Sequence, residues 1–168
     1  MAQAIRFHST GGPEVLQLEE VEVGDPGPGE VRMRHVAVGL NFADTYFRNG
    51  TYPVPLPAGM GVEAAGVIQA VGPGVTGFAP GDRVTYTGFI NTLGAYSTER
   101  IVAAAPLIRL PEGIGFETAA AMTMRGLTSA YLMRRIYPFK EGDAIPSGNY
   151  VLRISNPMEI HTLVASKK

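Results

Sequence analysis

Residues 62–88, VEAAGVIQAVGPGVTGFAPGDRVTYTG, are the most informative part of the chain about its class of fold. Its centre, Gly72-Pro73-Gly74-Val75-Thr76-Gly77, satisfies the pattern GxGxxG, with which a strand delivers a dinucleotide's pyrophosphate to the N-terminus of a helix. That chemistry needs a helix directly after the last glycine. Here Phe78-Ala79-Pro80-Gly81-Asp82 follows, and then a second strand-like run, DRVTYTG. No acidic residue stands about 20 positions on at the end of a second strand, where a ribose would be held. The glycines therefore close a turn between two strands.

Outward from this hairpin the chain keeps the same character. Residues 2–8 (AQAIRFH) and 15–23 (VLQLEEVEV) alternate apolar and polar side chains, as half-buried strands do. GDPGPGE (24–30) is a turn, and VRMRHVAVG (31–39) a third strand. The strand pattern returns at 62–72, 82–88 and 95–105. Between them, NFADTYFRNG (41–50) reads as a short helix with Asn41 as its N-cap, Asp44 in the first turn and Gly50 as its stop. TYPVPLPAG (51–59) is a proline-rich loop, and 113–137 is helical in composition with an interruption expected near Gly126.

After Asp143 the character shifts. AIPSGNYVLRIS suggests a turn and one strand. Asn156, Pro157 and Glu159 then carry the signals of a helix start, which predicts a C-terminal helix over 156–168. The expected organisation is a main domain at 1–143 and a tail at 144–168.

Composition agrees. The chain has 168 residues, with 21 glycines and 13 prolines spread through apolar segments, and 45% hydrophobic residues. That suits many short strands joined by tight turns. A net charge of −1 argues against nucleic-acid binding, which requires a basic face. There is no cysteine, hence no disulfide, thiolate metal site or cysteine nucleophile. No apolar run approaches the ~20 residues of a membrane span. Met1 leads into an alternating strand with no secretory pattern, so a cytoplasmic protein is expected.

Few residues suggest chemistry. His8, His35 and His161 are scattered, without the HxxxH spacing of a metal pair, and no GxSxG is present. Glu63, an acid inside an apolar strand, is either a buried carboxylate paired with Arg83, Arg125 or backbone amides, or a site carboxylate. Asn41, Asp44 and Arg48 share a helix face, with Tyr46 and Tyr52 close by in sequence. This segment fits either an ordinary capped surface helix or a cleft that stacks a planar ligand.

Six motifs then occur in order: GGPEVL (11–16), NFADTYFRNGTY (41–52), GMGVEAAGVI (59–68), VGPGVTGFAPGDRV (71–84), GAYSTE (94–99) and AAAMTMRGLTSAYLMRR (119–135). Together they resemble the N-terminal, GroES-like catalytic domain of the medium-chain dehydrogenase/reductase superfamily, in its zinc-free NADPH:quinone oxidoreductase branch. The resemblance covers residues 1 to about 143. It implies an α+β, mainly β fold, a twisted, partly open β-barrel with short helices. Zinc-dependent relatives carry a histidine before the glutamate of GHExxG, where this chain has Val62, so no metal is expected.

The resemblance implies NADPH as cofactor and a quinone, or another planar electrophile, as substrate, with hydride transfer between them. By motif, Asn41, Asp44, Tyr46, Arg125 and Thr128 match cofactor-binding positions, and Tyr46, Tyr52 and Arg125 match positions around the reacting rings. Gly59 and Glu63 match structural positions. The family continues into an AAxGGVG loop and a Rossmann domain, whereas this chain continues as AIPSGNYVLRISNPMEIHTLVASKK. Weak NADPH binding and no turnover by the chain alone are the expectation. Alternatives are a stand-alone GroES-like binding or oligomerisation module, whose open border would favour a homo-oligomer, and an alkenal or enoyl reductase.

Overall fold

The computed structural model describes residues 1–88, 93–136, 144–147, 150–154 and 163–167, with side chains described for the first two of these ranges. The chain divides into two units, Met1–Arg125 and Gly126–Lys168.

The first unit is built on two antiparallel sheets. The smaller joins β1 (Ala2–Phe7) to β2 (Leu16–Val21) on one side and to β4 (Ala58–Gly59) on the other. The larger runs in the order β7 (Glu99–Ala103), β3 (Glu30–Val38), β5 (Glu63–Val71), β6 (Arg83–Thr87) and β8 (Ile108–Arg109). The segment 96–98 links them: Ile5 N–H donates to the Tyr96 carbonyl, Thr98 N–H to that of Gln3, and His35 N–H to that of Thr98. Two sheets stitched along one seam make the partly open barrel that the resemblance implied.

β5 is buried on both faces over its first six residues, Val67 only partly, which explains the apolar run Ala64–Ile68. Ala64 and Ile68 join Val31, Met33, Val84 and Tyr86 in the barrel interior. Ala65, on the other face, packs with Leu110, Ala119 and Ala120, the last two from α2 (Phe116–Tyr131). α2 runs without a break through Gly126, contrary to the interruption expected there. One glycine costs a helix interior only about 1 kcal/mol.

The glycine block at 72–77 is the turn between the antiparallel partners β5 and β6. Gly74 has φ of 76° and Gly77 of 84°, conformations that other residues rarely adopt. A Cβ on Gly72 would collide with the Gly27 carbonyl oxygen, so this glycine permits the close passage of the 26–27 backbone. Asp82 closes the turn by accepting from Ala79 N–H at 2.8 Å and from Arg109 Nη1 at 2.7 Å. The first of these bonds, then the second, lowers the Asp82 carboxyl below its ordinary range.

In the second unit, β9 (Ala144–Ser147), β10 (Tyr150–Ile154) and β11 (Leu163–Lys167) form an antiparallel sheet with β10 in the middle. The helix expected over 156–168 is corrected in part. Residues 155–162 and 168 lie outside the described ones, and Leu163–Lys167 is a strand paired along β10. Cap signals are local, and ladder pairing with a distant strand overrides them.

Candidate functional site

The site is assembled on α1 (Phe42–Arg48), which follows the bend after β3. Asn41 caps it with extended backbone, φ −124°. Its N–H donates to Asp44 Oδ2 at 2.9 Å, while Asp44 N–H returns a bond to the Asn41 carbonyl at 3.0 Å. The exchange fixes the first turn and draws Asp44 inward to 2% exposure. Tyr96 donates its hydroxyl to the same Oδ2 at 2.7 Å. Burial, then that hydrogen bond and the adjacent negative charge, raise the Tyr96 hydroxyl well above its ordinary value, so it stays protonated. Asp44 Oδ1, also buried, has no hydrogen-bond partner among the described residues.

A second carboxylate lies behind the first. Glu63, fully buried at the start of β5, accepts from Asn41 Nδ2 at 2.8 Å through Oε2 and from Met124 N–H at 2.6 Å through Oε1. Of the partners considered from sequence, a backbone amide is therefore present and the arginines are not. Arg83 instead donates to the carbonyls of Pro111, Glu112 and Ile114 and lies 4.6 Å over the Phe116 ring. Arg125 donates to the carbonyls of Ala121 at 2.7 Å and Leu40 at 3.0 Å.

Asn41, Asp44, Arg48, Tyr96 and Arg125 border one cavity of about 320 Å³, whose apolar lining comes from Leu16, Leu40, Phe42 and Met60. The shared helix face read from the spacing of Asn41, Asp44 and Arg48 is thus the face on the cavity. Leu40 and Phe42 are exposed at its edge. Tyr46 and Tyr52 stand apart from this lining. Their rings meet edge to face at 5.3 Å, flanked by Phe42 and Phe47, and Tyr52 N–H donates to the Tyr46 carbonyl. Thr128 is exposed on α2. Tyr96 was not singled out from the sequence; only its place in GAYSTE marked it.

The histidines have structural surroundings. His8 pairs with Glu19 at 2.5 Å. His35 is buried, its Nδ1 2.8 Å from the Ser97 carbonyl and its Nε2 3.1 Å from the Tyr86 hydroxyl. A carbonyl only accepts, so Nδ1 carries the proton and Nε2 accepts from Tyr86. His161 lies outside the described residues. Among the described residues no three His, Asp or Glu side chains gather where they could share a metal ion, and no helix is long and apolar enough to cross a membrane.

Comparison with known proteins follows the same lines. The alcohol dehydrogenase GroES-like domain family matches residues 27–122. A quinone oxidoreductase of Pseudomonas aeruginosa is 50% identical over 146 residues, which are 86% of this chain and 44% of that protein. A 2-haloacrylate reductase of a Burkholderia species is 43% identical over 152 residues, 86% of this chain and 45% of that one. The crystal structure of Escherichia coli quinone oxidoreductase complexed with NADPH superposes with a TM-score of 0.80 at 46% identity, covering 84% of this chain and 43% of the other. The chain thus spans less than half the length of the relatives it matches. With the fold and the family match agreeing, the chain belongs to the alcohol dehydrogenase GroES-like domain family and is a homologue of the quinone oxidoreductases of the medium-chain dehydrogenase/reductase superfamily.

Proposed function

We propose that this chain is the catalytic-domain part of an NADPH-dependent quinone reductase, forming one wall of the cleft in which cofactor and quinone meet. The observation that carries the reading is the convergence of Asn41, Asp44 and Arg125 on a single cavity. The donor set fits the cofactor. Buried Asp44 Oδ1 lacks a partner among the described residues and calls for a donor, which a ribose hydroxyl or a carboxamide N–H supplies. Arg48 and Arg125 add positive charge beside it for a diphosphate.

When bound, NADPH supplies a hydride to an electrophilic acceptor. The chain's own residues bind, orient and shield. Asn41 and Asp44 hold the polar edge of the nicotinamide end, and Tyr96, kept protonated, holds Asp44 in place. The edge-to-face pair Tyr46 and Tyr52 offers a rigid aromatic wall to a flat acceptor and hydroxyls to its oxygens. Arg125, on the cavity, offers its guanidinium to an acceptor oxygen brought to the cavity edge, favouring the charge that develops on it. Proximity and orientation supply the catalysis.

Most of the dinucleotide's binding free energy in the family comes from the glycine loop and helix terminus of the Rossmann domain. The chain by itself is therefore expected to bind NADPH weakly and not to turn over. Calorimetric titration of NADPH tests this, with D44N and R125A as controls. Weak, saturable binding that drops about tenfold in either variant is expected, the equivalent of one hydrogen bond. Binding equal in all three proteins would refute the assignment of the cavity.

The identity to 2-haloacrylate reductase supports activated alkenes as a second acceptor class. Both classes are electron-poor and flat, and acceptor competition would rank them.

A further inference from the structure

We propose that Glu63 is a positioning residue, a buried strut that locks the loop at 39–41 to α2 and thereby sets where Asn41 and Arg125 face the cavity. The inference rests on the assignment of that cavity above.

Glu63 is fully buried and has no cationic hydrogen-bond partner among the described residues, so its two accepted bonds are what make the burial tolerable. They come from different elements, the Asn41 side chain and the α2 backbone at Met124. Each donor adjoins a cavity residue: Asn41 is one itself, and Met124 precedes Arg125. A parallel bond, from Arg125 Nη2 to the Leu40 carbonyl at 3.0 Å, spans the same gap one residue away on each side. The backbone has been cleared to admit the carboxylate. A Cβ on Gly39 would sit 2.5 Å from Glu63 Oε2 and would collide with the Ala120 carbonyl. Gly39 N–H also donates to the Glu63 carbonyl at 2.9 Å. A residue that only filled space would need neither the two donors nor the missing side chain.

The arrangement has a polarity that can be reversed. Glu63 accepts twice, and Asn41 donates to it. In E63Q one oxygen becomes an NH2 facing a donor, so one bond is lost. In N41D two carboxylates face each other. In the double variant E63Q/N41D the glutamine donates to the new aspartate and still accepts from Met124 N–H, which restores both links.

The test is amide hydrogen exchange on the full chain by NMR, with thermal unfolding of each variant measured alongside. The Met124 and Arg125 amides are expected to exchange at least tenfold faster in E63Q and N41D, and to return to within about threefold of the parent in the double variant. Global unfolding alone would accelerate every core amide together, Ile68 and Val84 included, so a change confined to the α2 amides marks the strut. If a single variant does not fold, the double variant must still fold with slow Met124 exchange. Unchanged Met124 exchange in E63Q, or a double variant no better than the worse single one, overturns the proposal. NADPH-induced shifts at Arg125 are recorded separately. Their absence in the parent chain would count against the cavity assignment, whereas slow Met124 exchange would still establish the strut.

Discussion

At the residue scale, the groups around α1 and β3 show how a few polar side chains survive inside a β-rich core. Asp44 is nearly buried because Asn41 N–H and the Tyr96 hydroxyl satisfy one of its oxygens. Removing the hydroxyl leaves the carboxylate short of a donor. Y96F is expected to lower stability by about 1–2 kcal/mol in urea unfolding and to weaken NADPH binding in the same direction. His35 shows the converse, a base kept neutral. Burial first, and then the charge of Arg100, lower it from 6.5 to about 4, against the opposing bond to the Ser97 carbonyl. Its folded value lies below its unfolded one, so between pH 6.5 and pH 4 the unfolded chain takes up a proton that the native chain refuses. Stability is full above pH 6.5 and falls as the pH drops to 4, by about 3 kcal/mol from this group. Comparing H35Q with the parent isolates the effect: the stability difference between them should shift with pH across that window. An unchanged difference would show that His35 is not the group responsible.

At the scale of elements, the turn between β5 and β6 separates two uses of glycine. Gly74 has a positive φ and open space around it, so G74A should cost about 1 kcal/mol in backbone strain. Gly72 faces backbone, and G72A must push the backbone at 26–27 away, at an expected cost of about 3 kcal/mol. Chemical denaturation of the two variants measures the contrast, and equal costs would contradict it. The same turn shows what the sequence reveals directly. Each strand of the first unit with five or more residues was readable from alternation or, for β5, from an apolar run. The two-residue pairings β4 and β8 were not, because no periodicity exists at that length. Gly126 misled because helix propensity is a weak prior when the helix has a face to bury, as α2 does with Ala119 and Ala120. The helical expectation fails over Leu163–Lys167 for a related reason. Leu163–Lys167 pairs with β10, and such non-local pairing leaves no cap-like signature.

At the scale of the molecule, the site draws on segments far apart in the chain. The i, i+3 and i+7 relation of Asn41, Asp44 and Arg48 was visible because a helix makes it local. Tyr96 meets Asp44 from 52 positions away, and Arg125 meets Leu40 from 85, and neither approach can be read from spacing. Only the resemblance placed Arg125 at the cofactor, and Tyr96 stayed hidden inside a motif. The resemblance did not bring Tyr46 and Tyr52 onto the cavity lining. They form an aromatic pair of their own, which leads to a separable expectation. A flat quinone should perturb the two tyrosines, and NADPH should perturb the cavity residues.

NMR titration of the isotope-labelled chain with NADPH, followed by 1,4-benzoquinone in a separate sample, tests this most directly. Shifts from NADPH concentrated at Asn41, Asp44, Tyr96 and Arg125, with those from the quinone centred on Tyr46 and Tyr52, are the expected result. NADPH shifts that avoid the cavity, or none up to millimolar concentration, would contradict the reading of this chain as a working wall of a quinone reductase.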